Sequence, residues 1–104
     1  MVRRLEFSHR HKTFELTLTD EGTLQLWLDR CLRKDRPRGA KEPQYVWTNV
    51  ELEWEEHHYV EVRYWASDDR LTVTVNGASL LEGSFASLAA SHAAATQPAA
   101  PSDR

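Results

Sequence analysis

The sequence predicts an all-β domain: a six-stranded antiparallel meander curled into a small sandwich or open barrel, with a short C-terminal helix. Three observations carry that prediction. Apolar residues recur at every second position through six segments, and period two marks strands with one buried face. Short acidic or glycine-bearing turns separate several of those segments, as antiparallel neighbours require. After Gly83 the composition becomes alanine- and serine-rich with helical apolar spacing, and alanine is the strongest helix former. In a chain of 104 residues there is room for one core. Residues 1–83 read as a single β domain, 84–95 as the helix and 96–104 as a disordered tail.

The first strand spans Arg3 to Ser8 with Leu5 and Phe7 inward, and the second spans Thr13 to Thr19 with Phe14, Leu16 and Leu18 inward. Asp20-Glu21-Gly22 then forms a three-residue hairpin loop in which glycine suits the left-handed position. If Thr19 faces Thr23, then Leu18 meets Leu24, Leu16 meets Leu26 and Phe14 meets Leu28 along the third strand, which runs to Asp29. Every apolar pair lands on one side, so the pattern sets its own register.

From Arg30 to Pro43 alternation stops, and a basic stretch with Pro37, Gly39 and Pro43 reads as a long surface loop. The fourth strand runs from Tyr45 to Glu55, the fifth from Tyr59 to Ala66 and the sixth from Leu71 to Val75, ending at Asn76-Gly77. Pairing Trp54 with Val60 keeps the apolar phases together. The stretches from Lys12 to Asp29 and from His58 to Asn76 echo one another in pattern, each being a strand, an acidic turn and a strand. Ser84 is placed to cap the helix, whose apolar side carries Phe85, Leu88 and Ala89. The tail from Thr96 has little to bury.

A net charge of -3 with 28% charged residues is too balanced to argue for nucleic acid or an anionic membrane. No apolar run is long enough to span a bilayer, and no apolar segment follows the N-terminal basic pair. Cys31 is alone, which excludes an intramolecular disulfide and fits a cytoplasmic location. No motif identifies a reaction, and no cofactor is expected.

The candidate binding residues lie on the polar phase. Trp27, Tyr45, Trp47, Tyr59 and Trp65 occupy positions where a solvated sheet face ordinarily shows threonine, lysine and glutamate. Flat rings combine apolar area with a polar handle, suited to a protein partner, a second copy or sugar rings. The same alignment puts Glu61 between Glu53 and Asn76, and Arg63 between Glu51 and Thr74. Adjacent carboxylates such as Glu53 and Glu61 can divide into acid and base where water is excluded, as in glycoside hydrolysis. On an open sheet face they instead repel weakly in water, the reading we favour.

His9, His11, His57 and His58 could in principle meet at one end of the sheet, but no cysteine or carboxylate spacing completes a ligand set, and no metal site is expected. Arg30, Arg33, Lys34, Arg36, Arg38 and Lys41 make the long loop basic. Phosphates could be gripped there, yet the acidic remainder and the lack of an RNA-binding aromatic motif disfavour nucleic acid.

The stretch His58-Tyr59-Val60-Glu61-Val62-Arg63-Tyr64-Trp65, followed by Asp68-Asp69-Arg70-Leu71-Thr72-Val73-Thr74-Val75-Asn76-Gly77, resembles the hairpin near the end of laminin-G-like and concanavalin-like jelly rolls. The resemblance covers less than a fifth of the chain and implies a sandwich hairpin without carrying a family function.

The expectation is therefore a non-enzymatic interaction module that binds a protein partner or itself through an aromatic outer face, with Trp27, Trp47 and Trp65 as anchors. The alternative is a carbohydrate-binding or carbohydrate-cleaving domain that uses those rings with Glu53 and Glu61.

Overall fold

Two meanders of four consecutive strands, rather than one of six, make up the fold. The structure, a computed structural model, describes residues 2–51 and 56–91. The first sheet contains β1 (Arg3–His9), β2 (Lys12–Leu18), β3 (Leu24–Leu28) and β4 (Cys31–Arg36). The second contains β5 (Gln44–Glu51), β6 (His57–Trp65), β7 (Arg70–Val75) and β8 (Ala78–Ser84), and α1 (Phe85–Ser91) follows. All sheet neighbours are antiparallel and consecutive. The two hairpins that echo one another, β2–β3 and β6–β7, are the central pairs of the two sheets.

The first three strands pair as the alternation requires: Leu18 faces Leu24, Leu16 faces Leu26 and Phe14 faces Leu28. Gly22 takes a φ of 90°, which glycine adopts without the steric cost of a Cβ. Its N–H donates to the Thr19 carbonyl at 2.9 Å. Phe7 and Phe14, opposite one another, stack with centroids 5.0 Å apart.

Two strands lie outside the six expected. The first half of the basic stretch is β4, joined to β3 by a two-residue turn in which Asp29 and Arg30 both have positive φ, 48° and 73°. That is the hairpin geometry usually written with glycine or asparagine. Apolar alternation does not mark β4 because all six of its residues are exposed. The other strand, β8, follows a tight turn at Asn76 and Gly77, both with positive φ. A bulge between Val73 and Thr74 shifts its register, so the adjacent Leu80 and Leu81 break period two.

The second sheet also corrects the expected pairing. Thr48, not Trp54, faces Val60, and Val46 faces Val62. β5 therefore sits six residues away from the expected alignment. Across β7, Arg63 faces Thr72 and Glu61 faces Thr74, because the four-residue turn occupies Ala66 to Asp69 rather than the expected Ser67 to Arg70. Trp54, expected to pair with Val60, lies outside the described residues, as do the proposed tail and the helix beyond Ser91.

The sheets bury one shared core. Leu5, Phe14, Leu16, Leu24 and Leu26 from the first meet Val60, Val62, Leu71 and Val73 from the second, all fully buried. α1 packs against β1 and β8, and β4 lies beside β5 on the opposite flank. Ser84 caps α1, its Oγ accepting from the Ser87 N–H at 3.0 Å, while Phe85 is wholly buried. No described helix is long and apolar enough to cross a membrane.

Candidate functional site

The outward phase of β5 and β6 builds the site. Inward residues Gln44, Val46, Thr48 and Val50 alternate with outward Tyr45, Trp47, Asn49 and Glu51 on β5. The register then sets Tyr45 opposite Arg63, Trp47 opposite Glu61 and Asn49 opposite Tyr59. Four of the five expected aromatic residues, Tyr45, Trp47, Tyr59 and Trp65, therefore share the second sheet.

Trp27 does not. It lies on the outer face of the first sheet, opposite Glu15, and is half-buried, with its indole N–H donating to Thr17 Oγ1 at 3.1 Å. The expected single aromatic face assumed one continuous sheet. Division of the chain into two sheets turns the outward faces away from each other. Trp65 is also half-buried, at the far end of β6 beside Arg70.

Tyr45, Trp47, Tyr59 and Glu61, with Asn76 and Gly77 at the β7–β8 turn, line a shallow surface depression of about 400 Å³. Trp47 and Tyr59 remain 40% and 48% exposed, and their rings lie 6.3 Å apart at 50°. The turn is tied to β6: Asn76 Oδ1 accepts the Tyr59 N–H at 2.8 Å, and the Asn76 N–H returns to the Tyr59 carbonyl at 2.9 Å.

Polar groups orient the rings. Tyr45 donates its hydroxyl proton to Glu61 Oε2 at 2.6 Å, and that hydrogen bond, followed by burial, raises the phenol above its ordinary pKa of 10.0. The Arg63 guanidinium covers the Tyr45 ring at 4.8 Å and lies 3.9 Å from Glu61. Lys34, reaching across from β4, holds its ammonium 5.2 Å above the Trp47 ring. Both contacts have cation–π geometry.

The expected carboxylate row does not form, since Glu61 is flanked by Trp47 and Thr74. Glu53 itself lies outside the described residues. Of the four histidines, His9 and His58 meet, with Nε2 and Nδ1 2.7 Å apart. His57 contacts Asn49 instead. Among the described residues, no group of three histidine, cysteine or carboxylate side chains is placed to hold a metal ion.

Lys34, Asn76 and Gly77 were not foreseen as parts of the site. Asn-Gly is a strong two-residue hairpin signal and could have revealed the turn. Nothing in the local sequence announces that Lys34 reaches Trp47, because that contact joins different sheets. Comparison with protein families, curated proteins and solved structures finds no match to the chain.

Proposed function

We propose that this chain is a non-enzymatic interaction module that binds a protein partner through the outer face of its second sheet, with Trp47 and Tyr59 as anchors. The observation that supports this reading is the pair of large aromatic side chains left exposed side by side in one depression. Aromatic residues in such settings supply a disproportionate share of binding energy, because each covers a large area with few rotatable bonds. Tyr45, Glu61 and Asn76 add oriented polar groups around them, as an interface needs for specificity.

The test compares wild type with W47A/Y59A by mass in solution across a concentration series, and then by capture of binding proteins. A wild-type dimer that the double variant loses would identify a second copy as the partner. A wild-type monomer that captures proteins the variant does not would identify a different one. Monomers that capture the same set would overturn the proposal.

One observation favours carbohydrate as a second reading: a carboxylate held by Tyr45 lies among the rings, where it could accept sugar hydroxyl protons. A cleaving activity draws no support from this geometry, since Trp47 occupies the position opposite Glu61. Glycan-array binding abolished by W47A would support the sugar reading, and an array without signal would remove it.

A further inference from the structure

The distribution of charge without a carboxylate partner points to the edge of the first sheet. Arg3, Arg4, Arg10, Lys12, Arg63 and Arg70 each have a carboxylate within ion-pair distance. Among the described residues, Arg30, Arg33, Lys34, Arg36, Arg38 and Lys41 have none. Residues 30–41 contain those six basic side chains and one carboxylate, Asp35, a net of +5 in a chain whose total is -3. Among the described residues the other basic side chains thus face carboxylates, whereas this cluster has no carboxylate partner and Lys34 lies instead over the Trp47 ring.

The cluster is centred on an edge. β4 is hydrogen-bonded to β3 alone within its sheet, and all six of its residues are exposed. Its neighbour on the other flank, β5, belongs to the second sheet; Gln44 Nε2 donates to the Arg36 carbonyl at 3.0 Å between them. An edge strand presents backbone donors and acceptors that another extended chain can use. Lys34 and Arg36 lie opposite Leu26 and Leu24, so they occupy alternating positions on one side of the strand, apart from exposed Leu32.

We infer that the edge of β4 not paired with β3, up to the Arg36 carbonyl that Gln44 already occupies, accepts an extended acidic segment of a partner protein as an added strand, with carboxylates at alternate positions toward Lys34 and Arg36. Charge decides the kind of occupant. Pairing with β4 of a second copy would bring like charges together along the strand, which is how edge strands avoid self-association. A polynucleotide would satisfy the basic residues but not the backbone edge. An acidic peptide satisfies both. Lys34 also lies over the Trp47 ring, so the edge adjoins the ring depression; Y59A, which removes the other anchor of that depression, should leave the peptide bound.

The probe is a fluorescein-labelled peptide alternating threonine and glutamate, titrated into the full chain and followed by anisotropy. Saturable binding is expected, and K34E/R36E should weaken it by about tenfold, since each reversal replaces an attraction by a repulsion near the surface. Both side chains are exposed, and an unchanged thermal midpoint would show that the variant is folded. Methylating alternate backbone nitrogens of the peptide, on the edge that faces β4, should abolish binding while leaving its charge intact. The inference is overturned if no binding occurs, if the charge-reversed variant binds as well, or if the methylated peptide does. Tighter binding of an oligothymidylate than of the peptide would also overturn it, by making this a nucleic-acid surface.

Discussion

His9 Nε2 lies 2.7 Å from His58 Nδ1, joining the end of β1 to the start of β6 and hence one sheet to the other. His58 directs its other nitrogen to Glu56 Oε2 at 3.1 Å. One of the two facing ring nitrogens therefore donates its N–H to the other. Burial, with the neighbouring charges of His58 and Arg10, holds His9 below its usual pKa of 6.5 against the pull of Glu56.

The pH dependence follows from that direction. As pH falls below 6.5, the unfolded chain protonates His9 before the folded chain does, so stability declines. Glu56 acts with the same sign at lower pH: the hydrogen bond from His58 and the nearby Arg10 charge depress its pKa below 4.5, and its contribution is lost as pH drops through the folded value. The thermal midpoint should decrease from about pH 7 to about pH 5, with a shallower slope in H9Q. An identical slope in that variant would remove His9 from the account.

A second tie between the sheets converges on Asp69. Its Oδ1 accepts from Arg3 at 2.9 Å and from the Tyr64 hydroxyl at 2.6 Å, and its Oδ2 accepts the Ala86 N–H at 3.1 Å. Burial alone would raise the Asp69 pKa, but hydrogen bonds from Arg3, Tyr64 and Ala86 outweigh it and lower the value. Burial, then the bond to Asp69, pushes Tyr64 up to about 12. D69A should cost about 2 kcal/mol, because it strips charge-assisted bonds and leaves part-buried donors unpaired. It should also bring the Tyr64 titration to lower pH, readable by ultraviolet absorbance. A loss within 0.5 kcal/mol, roughly the noise of surface substitutions, would show that the network carries no stability.

α1 is held by Phe85, whose ring meets Tyr64 edge-on at 5.9 Å and lies beneath the Arg3 guanidinium at 4.9 Å. Since Phe85 is fully buried, F85A should lower unfolding free energy by about 3 to 5 kcal/mol. Denaturant titration checks this. A cost typical of an exposed residue would mean that the helix is not part of the cooperative unit.

The β3–β4 turn offers a change in the opposite direction. Arg30 sits at a φ of 73°, where a Cβ costs roughly 1 kcal/mol. Asp29 is anchored there, its backbone N–H donating to the Thr13 carbonyl at 2.8 Å and its Oδ1 accepting the Thr13 N–H at 3.2 Å. R30G creates the Asp-Gly pair favoured by this turn and should raise the denaturant midpoint without changing the slope. A lower midpoint would show that Arg30 has a structural role besides its conformation.

W47A should leave stability within about 0.5 kcal/mol of wild type, as expected for an exposed residue outside the core. A cooperative melt near the wild-type temperature would meet that expectation. Loss of the fold would instead place the ring among the structural elements.

The β2–β3 hairpin was legible because Gly22 marks its turn and three leucine or phenylalanine pairs permit one alignment. The second sheet was less legible. Shifting β5 by an even number of residues preserves its inward phase, so hydrophobicity could not choose between Trp54 and Thr48 as the partner of Val60. The tertiary structure chooses Thr48, which burial accommodates despite its hydroxyl. β4 was invisible because an exposed edge strand needs no apolar side chains, and β8 because a bulge disrupts alternation.

The sequence by itself determined an all-β chain with a capped terminal helix and outward aromatic residues, since those properties depend on side-chain period and local turn chemistry. Only the tertiary structure decided that the chain divides after β4 into two sheets. That division separates Trp27 from Trp47, gathers Trp47, Tyr59 and Glu61 around one depression, and carries Lys34 onto the Trp47 ring. Contacts between distant segments depend on how the sheets pack around their shared core, and alternation within any one strand contains no record of that arrangement.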